Sequence, residues 1–172
     1  MRDETGSKGE VRMRNKIAVR MGEGVVARAP HIISSLGLGS CVTVALYDTK
    51  RRIGGLAHIM LPDSNSPNGR YTTYQCADTA ITALLEQMQS KGAILKDIVA
   101  KMVGGARMFS SYDGLNPGIG EQNIISIKHI LNRQGIPLIA EDIGGHHGRN
   151  IEFHLDSGKL VIKAVGKEVT EI

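Results

Sequence analysis

The chain has 172 residues, enough for one domain that can bury a core without a disulfide or a structural metal. Apolar residues make up 41% and charged residues 22%, as in soluble globular proteins, and no apolar run approaches the roughly 20 residues of a membrane-spanning helix. The net charge is +4, but the basic residues are scattered and aromatic residues make up only 3%, which argues against the stacking surface of a nucleic-acid-binding protein.

The amino-terminal segment is polar, and residues 1–12 are predicted to form a disordered tail. It lacks the apolar stretch of a secretory signal peptide, so we expect a cytoplasmic protein that does not insert into a membrane. Residues 13–172 are predicted to form a single domain. The two cysteines, Cys41 and Cys76, do not make a disulfide framework.

Short apolar runs bounded by turn residues predict strands along most of the chain. In chain order they lie at 15–20, 25–28, 31–36, "CVTVALY" (41–47), "IGGLAHIML" (53–61), "DIVAKMVGGA" (97–106), "PLIAED" (137–142), "NIEFHLD" (150–156) and "KLVIKAV" (159–165). A loop is predicted over 64–70.

Two segments have the spacing of a helix instead. The first runs over 74–89 and is stopped by Gly92, and the second runs over 119–134. Their apolar stripes are Ile81, Leu84, Leu85 and Met88 in the first, and Ile124, Ile127, Ile130 and Leu131 in the second. Strands outnumber helices and do not alternate with them regularly, which favours an α+β layered sandwich over a doubly wound sheet.

The runs 41–47 and 53–61 are joined by "DTKRR" and predict a hairpin. With the loop centred between Thr49 and Lys50, Cys41 lies directly opposite His58, where β-carbons are roughly 4.5–5.5 Å apart. A slip of one residue would send the two side chains to opposite faces. In this register the other face is consistently apolar, with the pairs Val42–Ala57, Val44–Gly55 and Leu46–Ile53.

A thiol beside an imidazole can act as a nucleophile. A free cysteine has a pKa near 8.5, and a neighbouring histidine can take its proton so that the sulfur attacks a carbonyl. Such a pair needs a group that orients the histidine and backbone N–H groups that bind the oxyanion. The lead "GLGS" offers such amides at Gly39 and Ser40.

Other interpretations of these residues remain open at this point. Cys41 alone is compatible with a small buried side chain, and His58 with an ordinary histidine at a strand end. Cys76 lies in a helical pattern and is interpreted as a packing residue. The acidic and histidine residues near the carboxyl terminus lack the helical spacing of a zinc site, so no metal is expected there. They are Glu141, Asp142, His146, His147 and His154.

Seven segments together resemble the CheD family, the chemoreceptor glutamine deamidases of chemotaxis. They are "LGLGSCVTVALYD", "GGLAHIMLPDS", "YQCADTAITALLEQM", "KMVGGARMF", "IGEQN", "AEDIGGHHGR" and "EFHLDSGKLVIKAV". They appear in order and the resemblance covers roughly residues 15 to 166. The family fold is an α/β/β layered sandwich of mixed sheets with two main helices, which agrees with the α+β interpretation.

The resemblance implies roles for individual residues. It makes Cys41 the nucleophile, His58 the general base and Ser35 the third catalytic residue, at a position where the family usually has threonine. Gln122 stands where the family often has arginine. Neither a metal nor an organic cofactor is implied.

The implied activity is hydrolysis of glutamine side chains to glutamate on methyl-accepting chemotaxis receptors, through a thioester. A receptor methyl ester can enter the same site, so methylesterase activity is also implied. The family binds and stimulates the CheC phosphatase, and the alternative is a protein that serves mainly as that adaptor. A cysteine peptidase is disfavoured, because the sequence has no feature of a peptide-binding cleft.

Overall fold

The computed structural model describes residues 15–65, 69–108 and 118–172. The predicted tail, residues 1–12, lies outside the described residues, as does the middle of the predicted loop at 64–70. The strands are β1 Lys16–Ala18, β2 Gly24–Arg28, β3 Ile32–Leu38, β4 Val42–Asp48, β5 Ile53–Ile59, β6 Ile98–Gly104, β7 Leu138–Ile143, β8 Arg149–His154, β9 Lys159–Lys163 and β10 Thr170–Glu171.

The helices are α1 over Ala77–Ser90 and α2 over Ile119–Arg133, and a short 3-10 turn covers Leu95–Asp97. Helix α1 begins three residues later than the predicted 74, because Cys76 is extended and bridges Leu61. After the helix, the predicted stop is confirmed, since Gly92 has a φ of +97° that favours glycine.

The strands form two five-stranded mixed sheets, which we call the outer and the central sheet. The outer sheet has the order β1-β3-β8-β9-β10, with β1 and β3 parallel. The central sheet has the order β2-β5-β4-β6-β7, with β6 and β7 parallel. Strand β10 was not predicted, since two residues are too short for an alternating pattern to show.

The central sheet lies between the helices and the outer sheet. One of its faces packs against α1 and α2 in a core cluster that includes Val44, Leu84 and Ile127. The other face packs against the outer sheet through residues such as Leu56 and Phe153. Strands β4 and β5 are buried along their whole length because both faces are covered. The predicted α/β/β layered sandwich is therefore confirmed.

The predicted register of the β4–β5 hairpin is wrong by two residues. In the structure Val42 pairs with Ile59, and Thr43, not Cys41, lies directly opposite His58. A shift of two residues preserves the faces of both strands. Cys41 therefore stays on the same side as His58, but as its diagonal neighbour.

The cause of the shift lies in the turn after Asp48. Its carboxylate accepts the backbone N–H groups of Lys50 at 3.0 Å and Arg51 at 2.9 Å, and its carbonyl accepts that of Arg52 at 2.9 Å. These bonds close a loop over residues 49–52, so its centre lies one residue later than predicted. Side-chain bonds to nearby backbone are a common way for aspartate to set a turn.

Among the described residues, no helix has both the length and the apolar character needed to cross a membrane.

The contact between the sheets leaves no room for a side chain at Gly54. A β-carbon there would collide with Leu155 and would lie 2.8 Å from a ring carbon of Phe153. We expect Gly54→Ala to lower the free energy of unfolding by about 1–3 kcal/mol, the usual cost of overpacking a core. The control is Gly148→Ala, whose β-carbon would meet only the Leu38 carbonyl at an ordinary 3.7 Å. Equal denaturant midpoints for the two variants would contradict this packing.

Candidate active site

The loop before β4 carries Cys41 and is held by a turn at the end of β6. The N–H of Gly105 donates to the Cys41 carbonyl at 2.8 Å, and the N–H of Ala106 donates to the Gly39 carbonyl at 2.8 Å. Gly104 has a φ of +119°, and a β-carbon there would collide with the Cys41 carbonyl. The close approach of the turn to the loop therefore requires a glycine at position 104.

A third contact to this loop comes from Asn123 of α2. This side chain is fully buried, and its amide nitrogen donates to the Ser40 carbonyl at 3.2 Å and to the Met60 carbonyl at 3.0 Å. Sequence analysis missed Asn123. The signal was present, because a polar residue lies on the same helical stripe as the buried Ile127 and Leu131.

His58 lies on β5 and is 1% exposed. Its Nδ1 is 2.8 Å from the hydroxyl oxygen of Ser35, and that hydroxyl donates to the Val19 carbonyl at 2.9 Å. A carbonyl can only accept a hydrogen bond, so the single hydroxyl hydrogen of Ser35 points to Val19. The Ser35 oxygen must then accept a hydrogen bond from Nδ1–H of His58. This network assigns the proton of the neutral imidazole to Nδ1 and leaves a lone pair on Nε2.

The Nε2 atom of His58 is buried and has no hydrogen-bond partner among residues 15–65, 69–108 and 118–172. Because Nδ1 is bound to Ser35, Nε2 lies on the opposite edge of the ring. Cys41 is the diagonal neighbour of His58 on the same face, and such positions are roughly 7–8 Å apart. The structure thus brings Ser35 and His58 into contact and puts Cys41 on the same face of the sheet, without a hydrogen bond between the thiol and the imidazole in this structure.

Burial controls the charge of both reactive groups. It raises the pKa of the half-buried Cys41 thiol, an effect only partly offset by the backbone N–H of Cys41, which lowers that pKa. Burial also lowers the pKa of His58. Each shift favours the uncharged form of its group.

The amides of the loop differ in their availability. The N–H of Gly39 donates to the Gly37 carbonyl at 3.0 Å, so it is already used. The N–H groups of Ser40 and Cys41 donate to no backbone carbonyl within the described part of the chain, and that of Cys41 interacts only with its own sulfur. These two amides, next to the thiol, are the donors that the loop can offer to an oxyanion.

A groove of about 490 Å³ borders this loop at Ser40. The Gly105–Ala106 turn and the first turn of α2 line it, together with the apolar side chains of Met108 and Ile119. Met108 and Ile119 are 46% and 38% exposed. The groove next to the loop that carries Cys41 is therefore open and partly apolar.

The residues near the carboxyl terminus that were weighed as metal ligands are engaged elsewhere. Asp142 pairs with Arg149 at 2.8 Å, and His146 Nδ1 lies 3.1 Å from the Arg107 carbonyl. No group of three or more His, Cys, Asp or Glu residues that is able to hold a metal occurs among the residues described. Cys76 is fully buried just before α1, where it bridges Leu61, in agreement with a packing role.

Comparison with known proteins adds independent information. A family model described as CheD chemotactic sensory transduction matches residues 60–164. A protein of Caldanaerobacter subterraneus subsp. tengcongensis, named probable chemoreceptor glutamine deamidase CheD, is 44% identical over 93% of this chain and 100% of its own. The chemoreceptor glutamine deamidase CheD of Thermotoga maritima is 41% identical over 88% of this chain and 93% of its own. These two alignments cover most of the chain, whereas the family model begins after His58.

Among solved structures, the hypothetical protein YfiH of Bacillus licheniformis aligns with a TM-score of 0.43 and 17% identity, over 69% of this chain and 49% of that one.

The buried neutral His58 predicts how stability depends on pH. Its pKa is lowered in the folded chain, so below its ordinary value of 6.5 the unfolded chain binds more protons. The free energy of unfolding should be unaffected above that value and should fall as the pH drops through the folded pKa, by at most about 1.4 kcal/mol per pH unit. Urea unfolding of the wild type and of His58→Asn, at about pH 7.5 and about pH 5, measures this linkage. An equal loss in both proteins would show that His58 does not contribute to it.

Proposed function

Because the chain belongs to the CheD family, we propose that it is a chemoreceptor glutamine deamidase with Cys41 as nucleophile, His58 as base and Ser35 as the group that orients the base. The observation that carries the proposal is the hydrogen bond between His58 Nδ1 and Ser35, which leaves Nε2 without a partner among the described residues, on the face of the sheet that also carries Cys41. The curated relatives named as chemoreceptor glutamine deamidases support the choice of substrate.

The first half of the reaction forms a thioester. His58 Nε2 takes the proton of the Cys41 thiol as the sulfur attacks the side-chain carboxamide carbon of a receptor glutamine. The oxyanion that develops accepts hydrogen bonds from the N–H groups of Ser40 and Cys41. Gly39 is part of this loop but does not donate to the oxyanion, because its N–H is hydrogen-bonded to the Gly37 carbonyl.

The second half restores the enzyme. The tetrahedral intermediate collapses as the His58 imidazolium gives its proton to the leaving ammonia, and a thioester remains on Cys41. Water then attacks the thioester carbonyl while His58 Nε2 takes one of its protons. The intermediate breaks down to glutamate, and the proton returns to the sulfur, so that the thiol and the neutral imidazole are both regenerated.

Throughout the cycle, Ser35 holds the ring. The imidazolium keeps its Nδ1–H bond to the hydroxyl, and the Val19 carbonyl keeps the hydroxyl proton directed away from the ring.

The proposal includes methylesterase activity as well, because a glutamate methyl ester would form the same thioester with methanol as the leaving group. We place the reaction in the cytoplasm, without a metal or an organic cofactor.

The second candidate function is binding and stimulation of the CheC phosphatase, which the proposal includes as an added role. The alternative, a protein that acts mainly as this adaptor, leaves the Ser35–His58 pair unexplained. Burying an imidazole nitrogen without a partner costs stability, roughly 1–3 kcal/mol for a polar group. A site that performs chemistry has a reason to bear that cost.

The direct test is to incubate the protein with a cognate receptor fragment and to follow glutamine-to-glutamate conversion by peptide mass spectrometry. Cys41→Ala and Cys41→Ser should both lose this activity with an unchanged circular dichroism spectrum, because a serine hydroxyl beside this histidine is far less ionised than a thiol. Cys76→Ala, the matched control at the buried cysteine, should retain it.

Near-wild-type conversion by Cys41→Ala would contradict the mechanism. A wild-type protein that leaves the receptor fragment unmodified but binds CheC would favour the adaptor alternative.

A further inference from the structure

We propose that Asn123 is a positioning residue that orients the Cys41 N–H toward the oxyanion by holding the Ser40–Cys41 peptide group. The inference rests on the proposed function, since it concerns the stabilisation of a carbonyl addition intermediate. It assigns to α2 a part in the reaction that neither the sequence nor the catalytic residues indicate.

The argument begins with the geometry of a peptide group. Within the described residues only the Ala29–Pro30 bond is cis, so the Ser40–Cys41 bond is trans and its C=O and N–H point in opposite directions. The Ser40 carbonyl accepts from the Asn123 side chain at 3.2 Å. Fixing that carbonyl toward α2 therefore fixes the Cys41 N–H on the side away from α2.

The Cys41 N–H lies where an oxyanion donor is needed. It donates to no carbonyl and to no side chain other than its own within the described part of the chain, and its hydrogen bond to its own sulfur lowers the pKa of that thiol. The free amide is thus next to the attacking sulfur. A donor preorganised at this point stabilises charge that develops on the carbonyl oxygen.

The side chain of Asn123 is itself held in one orientation. It donates to two carbonyl oxygens, Ser40 and Met60, and only the amide nitrogen can do so, so the Oδ1 and Nδ2 atoms cannot exchange places. Oδ1 is buried and has no hydrogen-bond partner among the residues that the structure describes. Met60 follows His58 by two residues. The side-chain amide of Asn123 therefore connects the loop that carries Cys41 with the strand that carries His58.

The other carbonyls of the loop are held differently. Those of Gly39 and Cys41 accept from the backbone N–H groups of Ala106 and Gly105, which truncation of a side chain leaves in place. The Ser40 carbonyl depends on a side chain. The orientation of this peptide group can therefore be tested by changing Asn123.

The experiment compares two reactions of the same thiol. Acylation of Cys41 by p-nitrophenyl acetate passes through an oxyanion, whereas alkylation by iodoacetamide does not, and neither requires a receptor. Deleting a whole oxyanion donor costs roughly 10²–10³-fold in rate, so loosening one should cost part of that. We expect Asn123→Ala to slow acylation by about ten- to a hundredfold and alkylation by less than about threefold.

The same variant should show a split in receptor deamidation, if the proposed function holds. We expect kcat to fall by about ten- to a hundredfold with KM changed by less than about twofold, because Asn123 is buried and cannot contact substrate. A wild-type protein that deamidates no receptor would refute the proposed function. The ratio of acylation to alkylation would still decide the role of Asn123.

Ser126→Ala is the matched control. The Ser126 hydroxyl, also on α2, donates to the Pro62 carbonyl at 2.5 Å and does not contact the nucleophile loop. Its removal should lower the melting temperature and leave both thiol reactions unchanged. Asn123→Ser serves as the second variant if Asn123→Ala does not fold.

Three results would overturn the proposal. The first is an unchanged acylation rate in a folded Asn123 variant. The second is a parallel loss of acylation and alkylation, or a loss of acylation as large in Ser126→Ala. The third is failure of both Asn123 variants to fold while Ser126→Ala folds, which would assign Asn123 to folding and not to alignment of the peptide.

Discussion

The hydroxyl of Ser35 has a single hydrogen, which forms a hydrogen bond to the Val19 carbonyl. Everything proposed for His58 depends on that bond, because a hydroxyl whose hydrogen is already engaged can only accept a hydrogen bond from the imidazole. The ring is thereby held as the Nδ1–H tautomer, with Nε2 unprotonated and available to a thiol. Burial raises the pKa of the Cys41 thiol and lowers the pKa of the His58 imidazole, so it favours the uncharged form of both groups.

The layered fold makes this arrangement available. Ser35 lies on β3 in the outer sheet and His58 on β5 in the central sheet, so their hydrogen bond crosses the interface between the two sheets. The loop before β4, which carries Cys41, is held by the turn after β6 and by Asn123 on α2. All three layers therefore contribute to the position of three side chains. Close approaches at Gly54 and Gly104 show how little the layers can shift without disturbing the site.

The sequence predicted the layers of the fold better than the pairing of the strands that carry the candidate residues. Apolar periodicity found both helices and nearly every strand, because burial imposes a regular pattern on the side chains. The hairpin register failed because Asp48 sets the turn through bonds from its carboxylate to backbone N–H groups, which no apolar pattern reports. The pairing error was even, so Cys41 and His58 stayed on one face. The helical stripe indicates that Asn123 is buried, but it does not show what Asn123 binds. Its partners, the carbonyls of Ser40 and Met60, are distant in sequence and carry no side-chain signal.

The central claim is that Ser35 fixes the tautomer of His58, and nitrogen NMR of the imidazole tests it most directly. In the wild type near neutral pH, Nδ1 should have the chemical shift of a protonated ring nitrogen and Nε2 that of an unprotonated one. In Ser35→Ala, the preference for Nδ1–H should weaken toward a mixture of tautomers. A wild-type His58 with its proton on Nε2, or charged on both nitrogens at that pH, would contradict the account.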